Sequence, residues 1–275
     1  MSTPLVSIII PTKNEELNIG RLLNSIYSTS IEMQKFFEVI VVDNINTTDR
    51  TRQIVNKFSA VLYVYGDERS EQRNHGVKKA HGEYVLFLDA DMEVTYDLLL
   101  ELLSLINSNE RELMIFIPER IPGKSIYLRA RNIEKVIYSE NKIVSAARLF
   151  NREIFLKIGG FNQDMISGED WDLSKRYEKL ARKVFFTKNT LKHHEEKVGF
   201  IGSIKKKIYY AKNLQNYSVW VDAQINPFYR FFLIFSNFTF LFRDPIAYIY
   251  LIILKTFEFG IGFVTYLLLS DKKIV

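Results

Sequence analysis

Short apolar runs rich in β-branched residues alternate with segments of helical periodicity through the first half of this 275-residue chain. Four runs of strand length lie at residues 5–10, 38–42, 61–65 and 84–88. Between the first two, Ile19, Leu22, Leu23 and Ile26 recur three and four positions apart, which is the spacing of one helix face. Strands and helices that alternate at this spacing form parallel βαβ units. The sequence therefore predicts an α/β fold with a mostly parallel central sheet flanked by helices.

The second half continues this alternation as far as residue 187. Helices are expected at 96–106, 125–138, 152–158 and 169–180, and strands at 113–118, 146–150 and 184–187. No internal repeat or low-complexity segment interrupts the pattern, which disfavours solenoid folds. One α/β domain is therefore predicted at residues 1–196.

The chain changes composition near residue 197. Residues 1–196 carry 27 basic and 28 acidic side chains, whereas residues 197–275 carry 10 and 4, a net charge of +6, and hold 19 of the 38 aromatic residues. Basic, aromatic segments are typical of proteins that bind a membrane or a nucleic acid. Because the lysines at 205–207 adjoin apolar stretches and no recognition motif, we expect a membrane surface as partner and no nucleic acid.

This tail contains two apolar stretches, which differ in whether they are long enough to cross a bilayer. Residues 228–242 are too few to cross a bilayer, which takes about 20 residues, whereas 246–269 are enough but include Lys255 and Glu258. These two charges are three positions apart and can pair on one helix face. We expect a membrane-associated helical tail at 197–275 rather than a soluble helical subdomain. Whether 246–269 spans the membrane or lies at its interface stays open.

The absence of cysteine and of a signal-peptide pattern indicates where in the cell the protein is expected. The chain has no cysteine, which excludes disulfides, thiolate metal sites and a cysteine nucleophile. The N-terminal residues lack the basic region and cleavage site of a signal peptide, so no cleaved targeting segment is expected. A cytosolic setting fits best, and together with the tail it predicts the cytoplasmic face of the cell membrane.

The sharpest chemical signal is a buried strand that ends in Asp89-Ala90-Asp91. Alternate residues of an extended segment point the same way, so both carboxylates can face one ligand. Carboxylate oxygens suit Mg²⁺ or Mn²⁺, which complete their shells with substrate phosphates and water. Such a site holds a diphosphate and neutralises it as a leaving group. The alternative is a solvated turn, since Asp-x-Asp is common by chance.

Further polar motifs follow the strands in a fixed order. They are Pro-Thr-Lys-Asn-Glu at 11–15, Val-Val-Asp-Asn at 41–44, Arg-Asn-His-Gly at 73–76, Asp-Ala-Asp at 89–91, Gly-Gly-Phe at 159–161 and Gly-Glu-Asp-Trp-Asp-Leu at 168–173. Ligands bind beyond the carboxyl ends of such strands, where several of these motifs converge. In this order they resemble the family-2 glycosyltransferases, inverting enzymes of the GT-A fold. The resemblance covers about residues 5–196.

The resemblance implies roles on the donor side of the site. Thr12, Glu15 and Asp43 would line the pocket for the nucleotide base and ribose, and Arg73 would lie near polar groups of the nucleotide. The loop at 43–51 is one residue longer than the family pattern and lacks glycine. The base-recognition loop is therefore expected to be remodelled, which leaves the identity of the nucleotide open.

The resemblance also implies a divalent metal ion, Mn²⁺ or Mg²⁺, that bridges the diphosphate. Asp91 would bind this metal ion, and Asp89 would contact the ribose or a metal-bound water. A histidine after the last strand can complete the metal or diphosphate site, and the spacing to Glu195 favours His193 over His194. An exposed polar loop is the alternative for this pair of histidines.

The acidic motif at 168–173 would supply the general base. Asp170 would take the proton from the acceptor hydroxyl as that oxygen attacks the anomeric carbon from the face opposite the departing nucleotide. Glu169 is the second candidate for the base, while Asp172 caps or orients the helix. The alternative is that acidic residues in a first helical turn only stabilise the helix dipole.

Three functions remain in view. The first is a metal-dependent inverting transferase that moves one sugar from a nucleotide-diphosphate donor to a hydroxyl of a lipid-linked or cell-envelope glycan, because the Gln-x-x-Arg-Trp segment of processive synthases is absent. The second is a non-catalytic, membrane-bound scaffold that binds nucleotide sugars, and the retained Asp89, Asp91 and Asp170 argue against it. A sugar-nucleotide pyrophosphorylase, the third, would need a Gly-rich loop where residues 11–14 stand. The oligomeric state is left open.

Overall fold

The computed structural model describes residues 3–107, 112–165, 167–196, 198–213 and 227–270. The first of its two compact units comprises Met1–Pro118, Ala146–Asp164 and Glu169–His193, and the second comprises Glu119–Ser145, Met165–Gly168 and His194–Val275. Residues 119–145 thus group with the C-terminal segment, which the composition did not indicate. A boundary of folding domains at residue 196 stays a prediction, and the adjoining Lys197 lies outside the described residues.

Seven strands of the first unit form one sheet. The strands of the chain are β1 (Val6–Thr12), β2 (Phe37–Asp43), β3 (Val61–Val64), β4 (Tyr84–Phe87), β5 (Met92–Glu93), β6 (Leu113–Phe116), β7 (Glu119–Arg120), β8 (Ala147–Asn151), β9 (Lys183–Phe186) and β10 (Leu191–His193). The sheet order is β3-β2-β1-β4-β8-β6-β9. Strand β8 runs antiparallel to β4 and β6, and the other neighbours are parallel. The predicted α/β fold with a mostly parallel sheet is confirmed.

The register of the central strands defines the functional edge of this sheet. Strand β1 is buried along its whole length and pairs with β2 so that Thr12 lies opposite Asp43. It pairs on its other side with β4, where Ile9 lies opposite Phe87. The Asp-x-Asp motif begins two residues after Phe87. Polar residues from three strands therefore leave the sheet at the same edge, as the sequence predicted.

The helices of the described residues include one at each of the four ranges predicted between residues 96 and 180. They are α1 (Ile19–Tyr27), α2 (Ile31–Gln34), α3 (Thr51–Val55), α4 (Arg69–Lys79), α5 (Tyr96–Asn107), α6 (Ile126–Tyr138), α7 (Arg152–Lys157), α8 (Glu169–Glu178), α9 (Gly199–Asn213), α10 (Pro227–Ser236), α11 (Phe240–Arg243) and α12 (Pro245–Ser270). Helix α1 buries Ile19, Leu22, Leu23 and Ile26, the four residues predicted to share one face. The apolar stretch at 228–242 forms two helices rather than one, with a turn at 237–239.

Helix α4 buries polar side chains, which distinguishes it from the apolar helices. Its buried residues include Gln72, Arg73 and Asn74. The helix lies close to the sheet at Gly76, where a Cβ atom would approach Ile9 Cγ2 to 2.6 Å. Gln72 Nε2 donates hydrogen bonds to the carbonyl oxygens at the ends of β1 and β2, at 2.9 and 2.7 Å. A glycine at position 76 thus brings the polar face of α4 against the carboxyl edge.

In the second unit, α12 packs against α6 and α9. Tyr248 and Leu251 of α12 form an apolar cluster with Ile133 and Ile137 of α6. Among the described residues, one helical stretch, Pro245–Thr265, is long and apolar enough to cross a membrane, with a mean hydropathy of 1.6 and one third of it buried.

Candidate active site

The ends of β1 and β2 and the loops that follow them are joined by hydrogen bonds at the sheet edge. Thr12 Oγ1 donates a hydrogen bond to Asp43 Oδ1 at 2.7 Å, and Thr47 Oγ1 donates to the same oxygen at 2.9 Å. Arg52 Nε donates to Asp43 Oδ2 at 2.7 Å, and the Asp43 side chain is fully buried. Both carboxylate oxygens therefore already accept hydrogen bonds within the protein. The contact of Asp43 with a nucleotide base stays a prediction.

Backbone contacts hold the two loops together. The amide of Glu15 donates to Thr51 Oγ1 at 2.8 Å, and the amide of Thr48 donates to Asn14 Oδ1 at 2.9 Å. Asn14 has a φ of +56°, a left-handed conformation that asparagine tolerates better than most residues. The Glu15 side chain accepts a hydrogen bond from Asn18. The loop that departs from the family pattern is thus hydrogen-bonded to the first loop through Thr51 and Asn14.

Arg73 joins motifs that are far apart in sequence. Its Nη2 lies 2.7 Å from Asp89 Oδ1, and its Nη1 lies 2.8 Å from Asp170 Oδ1 and 3.4 Å from Glu169 Oε1. The side chain is only 1% exposed, and its guanidinium lies over the Phe161 ring at 5.1 Å. The structure thus places Arg73 among three carboxylates. Its role toward the nucleotide stays a prediction.

The carboxyl groups around Arg73 differ in their ionisation. Burial acts to raise the pKa of Asp89, but the charges of Arg73 and Arg148 hold it well below its usual range. Burial and the charge of Asp170 raise the pKa of Glu169 to about 7, against the opposing effect of Arg69 and Arg73. Asp89 is therefore an anion at neutral pH, whereas Glu169 keeps its proton to a higher pH than an ordinary glutamate.

Exposure separates the two candidate bases. The Asp170 side chain is 41% exposed and the Glu169 side chain 5%. An acceptor hydroxyl must reach the base within hydrogen-bond distance. The geometry therefore favours Asp170 over Glu169.

The helix that carries these acids is anchored to the Gly-Gly-Phe turn. Arg176 of α8 pairs with Asp172 at 2.7 Å and donates to the carbonyl of Gly160 at the same distance. Asn74 of α4 donates to the carbonyl of Phe161 at 2.8 Å and accepts from its amide at 2.9 Å. At Gly160, with φ +68°, a Cβ atom would lie 2.5 Å from Asn74 Oδ1. Asp172 thus pairs with the arginine that joins α8 to this turn. The capping or orienting role suggested for it stays a prediction.

A short antiparallel pair brings the predicted metal-binding residues together. Strands β5 and β10 pair so that His193 lies opposite Met92, and His193 Nε2 lies 3.2 Å from Asp91 Oδ2. His194 Nδ1 instead lies 3.0 Å from Glu196 Oε1, so His193 is the histidine at the Asp-x-Asp motif. Within the described residues, no three histidine or acidic side chains form a group that could hold a metal ion. Asp91 and His193 supply two donors, which fits an ion completed by substrate phosphates and water.

Two site residues escaped prediction from the sequence. Arg52 holds Asp43, and Arg148 lies 3.5 Å from Asp89 Oδ2. Arg148 belongs to β8, and an arginine within a predicted buried strand is a signal that could have identified it. Nothing in the local sequence distinguishes Arg52 from an ordinary helix residue.

Comparison with known proteins identifies the family to which the chain is similar. Residues 7–162 match the sequence profile of Glycosyl transferase family 2. Poly(ribitol-phosphate) beta-N-acetylglucosaminyltransferase TarS of Staphylococcus aureus is 31% identical over 127 residues, which are 44% of this chain and 22% of TarS. Glycosyltransferase AglE of Haloferax volcanii is 28% identical over 205 residues, covering 70% of this chain and 67% of AglE. The chain thus spans about a fifth of the length of TarS.

Solved structures share the fold at low sequence identity. TarS residues 1–349 in complex with UDP-GlcNAc superpose with a TM-score of 0.56 and 18% identity, covering 98% of this chain and 91% of that one. The mannosyltransferase PcManGT of Pyrobaculum calidifontis, in complex with GDP-Man and Mn²⁺, gives a TM-score of 0.65 and 16% identity, covering 97% and 88%. At these identities the likeness concerns the fold.

Proposed function

Because this chain belongs to glycosyl transferase family 2 and has the GT-A fold, we propose that it is a metal-dependent, inverting glycosyltransferase. It moves one sugar from a nucleotide-diphosphate donor to a hydroxyl of a lipid-linked or cell-envelope glycan. The observation that carries the proposal is the Arg73 guanidinium, which joins Asp89 of the donor motif to Asp170 of the acceptor motif. A scaffold without turnover has no chemical need for this connection.

Asp170 acts as the general base in the proposed reaction. Arg73 and the first turn of α8 orient its carboxylate, which is exposed enough to meet an acceptor. The carboxylate takes the hydroxyl proton while the acceptor oxygen forms a bond to the anomeric carbon. The bond from that carbon to the diphosphate oxygen breaks, and the nucleoside diphosphate leaves with the electron pair. A single displacement from the opposite face inverts the anomeric configuration.

Asp91 and His193 would hold the divalent metal ion, with Asp89 beside them. When bound, a Mn²⁺ or Mg²⁺ ion would neutralise the diphosphate leaving group. The pairing of these two side chains at 3.2 Å supports this assignment, as does the Mn²⁺ bound by the structural neighbour PcManGT. Arg73 and Arg148 keep Asp89 ionised, which preserves an anion beside the proposed metal site.

The acceptor and the location rest on different observations. TarS is named for transfer to poly(ribitol-phosphate), which supports a cell-envelope glycan as the acceptor class. The apolar α12 and the basic composition of residues 197–275 support a position at the cytoplasmic face of the membrane. The structural neighbours bind UDP-GlcNAc and GDP-Man, so both uridine and guanosine donors belong in the test.

A panel of nucleotide sugars tests the donor half of the proposal. The full chain is incubated with each donor and with Mn²⁺, Mg²⁺ or chelator, and thermal shift and donor hydrolysis are measured. We expect one donor to raise the melting temperature only with metal, and Asp91→Ala to lose that response. Asp97→Asn, an exposed acid on α5, is the matched control and should respond like wild type. A protein that no donor stabilises, or an Asp91→Ala variant that behaves like wild type, contradicts the proposal.

A further inference from the structure

We propose that α12 lies in the plane of the membrane surface, with one apolar face in the lipid, and does not cross the bilayer. This inference rests on the membrane association proposed above and specifies how it is achieved.

The two faces of α12 differ sharply in exposure. Ala247, Leu251, Leu254, Lys255 and Glu258 face inward and are at most 6% exposed. The outward stripe consists of Ile246, Ile249, Ile253, Phe257 and Val264, which are 46% to 62% exposed. These five positions recur at intervals of three, four or seven residues, so they share one side of the helix. Both charged residues thus face protein, and the outward stripe is entirely apolar.

The inward charges of α12 belong to a network of ion pairs that includes residues of α6. Lys255 Nζ lies 2.6 Å from Glu134 Oε1 on α6 and 2.7 Å from Glu258 Oε2. Glu134 also pairs with Arg131, whose Nε lies 2.8 Å from Glu195 Oε2. Each charged side chain at the bilayer centre costs about 2.5–3.5 kcal/mol on insertion scales. A crossing α12 would carry these partners into the lipid or break their ion pairs.

A second apolar stripe lies on the neighbouring helix. Phe228, Phe232 and Phe235 of α10 are 54% to 80% exposed and recur four and three positions apart. Helix α10 contacts α12, because Tyr248 Oη donates to the carbonyl of Ile234 at 2.7 Å. Exposed apolar patches of this kind on adjacent helices mark membrane or protein interfaces.

The exposed charges favour an anionic lipid surface, rather than a second copy of the chain, as the partner of the apolar stripes. Within the described residues from 198 onward, the acidic side chains are Asp244, which pairs with Arg129 at 2.9 Å, and the buried Glu258. Lys205, Lys206 and Arg243 are exposed. Basic residues beside an apolar helix face attract anionic lipids, whereas two copies of such a surface repel each other.

Vesicle binding tests the face that contacts lipid. The stripe variant combines Phe232→Ser, Ile249→Ser and Phe257→Ser, and the matched control combines Leu17→Ser, Leu100→Ser and Leu156→Ser, which are exposed apolar residues of the first unit. We expect the stripe variant to bind vesicles of phosphatidylglycerol and phosphatidylcholine more than about 10-fold more weakly than wild type. The control should bind like wild type. Circular dichroism checks that each variant is folded.

Cysteine labelling tests the in-plane orientation, because the chain has no native cysteine. Ser236→Cys and Thr265→Cys are placed singly, and sealed inside-out vesicles from expressing cells are treated with an impermeant maleimide. We expect both cysteines to react before lysis, since Ser236, at the end of α10 and before α12, and Thr265, near the C-terminal end of α12, both stay on the cytoplasmic side. Reaction of Thr265→Cys only after lysis would establish a spanning helix and overturn the inference.

Further outcomes separate this inference from the proposals on which it rests. A stripe variant that binds vesicles like wild type rejects the lipid-facing stripe alone. Wild-type protein that binds no vesicle rejects membrane association together with the inference, while the donor panel still judges the transferase. A wild-type dimer in detergent-free solution that the stripe variant dissociates would assign the stripe to a second copy of the chain and overturn the lipid assignment.

Discussion

Each unit of this protein contains a buried cation surrounded by carboxylates, but the two clusters differ in what their carboxylates face. In the first unit, Arg73 is 1% exposed while its partners Asp89 and Asp170 are 23% and 41% exposed. In the second, the side chain of Lys255 is 6% exposed, and the side chains of its partners Glu134 and Glu258 are 5% and 9% exposed. The first cluster is open toward solvent on its acidic side, and the second is closed on every side.

The chemistry of the two cations suits these situations. The planar guanidinium of Arg73 presents several N–H groups in fixed directions, so it can orient carboxylates from two motifs at once. The ammonium of Lys255 is a compact charge that draws acids together without fixing their planes. In the first cluster the cation thus positions carboxylates that stay accessible to a ligand. In the second cluster the cation joins helices through carboxylates that are enclosed.

The largest expected effect is on turnover at the open cluster. Asp170→Asn removes the proposed base, so kcat should fall by about 10²- to 10⁴-fold while donor-induced thermal stabilisation is retained. Glu169→Gln serves as the comparison, because Glu169 is buried beside the same arginine. Steady-state transfer assays with the donor identified in the panel measure both. Retained transfer in Asp170→Asn with loss in Glu169→Gln would reassign the base to Glu169.

The closed cluster should respond in stability. Lys255→Met leaves Glu134 and Glu258 buried without their shared cation, and removal of one member of a buried ion pair costs about 3–5 kcal/mol. Urea unfolding of the purified chain measures the loss. The double variant Lys255→Met with Glu258→Gln also removes one buried anion and should recover part of it. A double variant no more stable than the single one would show that Glu258 adds nothing to the penalty.

A charge-conserving change at Arg73 separates orientation from charge. Arg73→Lys keeps one positive charge but loses the geometry that reaches both Asp89 and Asp170, so kcat should fall by about 10- to 100-fold, with a smaller change in the KM for donor. Arg73→Gln, which also loses the charge, should be less active than Arg73→Lys. Equal losses in both variants would mean that charge contributes nothing beyond orientation.

The smallest expected effect is an opposite pH dependence of stability in the two clusters. Although burial opposes it, the charges of Lys255 and Arg131 lower the pKa of Glu258 to about 2. Stability from Glu258 is therefore present above its unfolded value near 4.5 and is lost as the pH falls toward 2. The raised pKa of Glu169, about 7, acts the other way, so its protonated form favours folding and stability falls as the pH rises from 4.5 to 7.

Thermal unfolding across these two pH windows measures the difference. Glu258→Gln should flatten the acid limb below pH 4.5, and Glu169→Gln should flatten the slope between pH 4.5 and 7. Each variant is the control for the other window. A wild-type slope in both variants would show that neither group titrates as its surroundings imply.

Much of the fold was predictable because strands and helices are local. The burial of Ile19 and Leu22 on one face of α1 follows from their spacing, and Asp43 ends a strand because an apolar run ends there. The two-residue strand β5 has no periodicity that a sequence could reveal, so the pairing that brings His193 to Asp91 was not visible. A histidine at this place was instead expected from the family resemblance, and the spacing to Glu195 favoured His193 over His194.

The sequence alone determined the alternation of strands and helices, the acidic motifs at the strand ends and the charged interruption of the last apolar segment, because each depends on neighbours within a few residues. Tertiary structure alone decided which charges meet. Arg73 is 97 residues from Asp170, and Lys255 is similarly remote from Glu134. Pairs so distant are brought together only by the packing of whole elements, and that packing also decides which carboxylates remain open to a ligand.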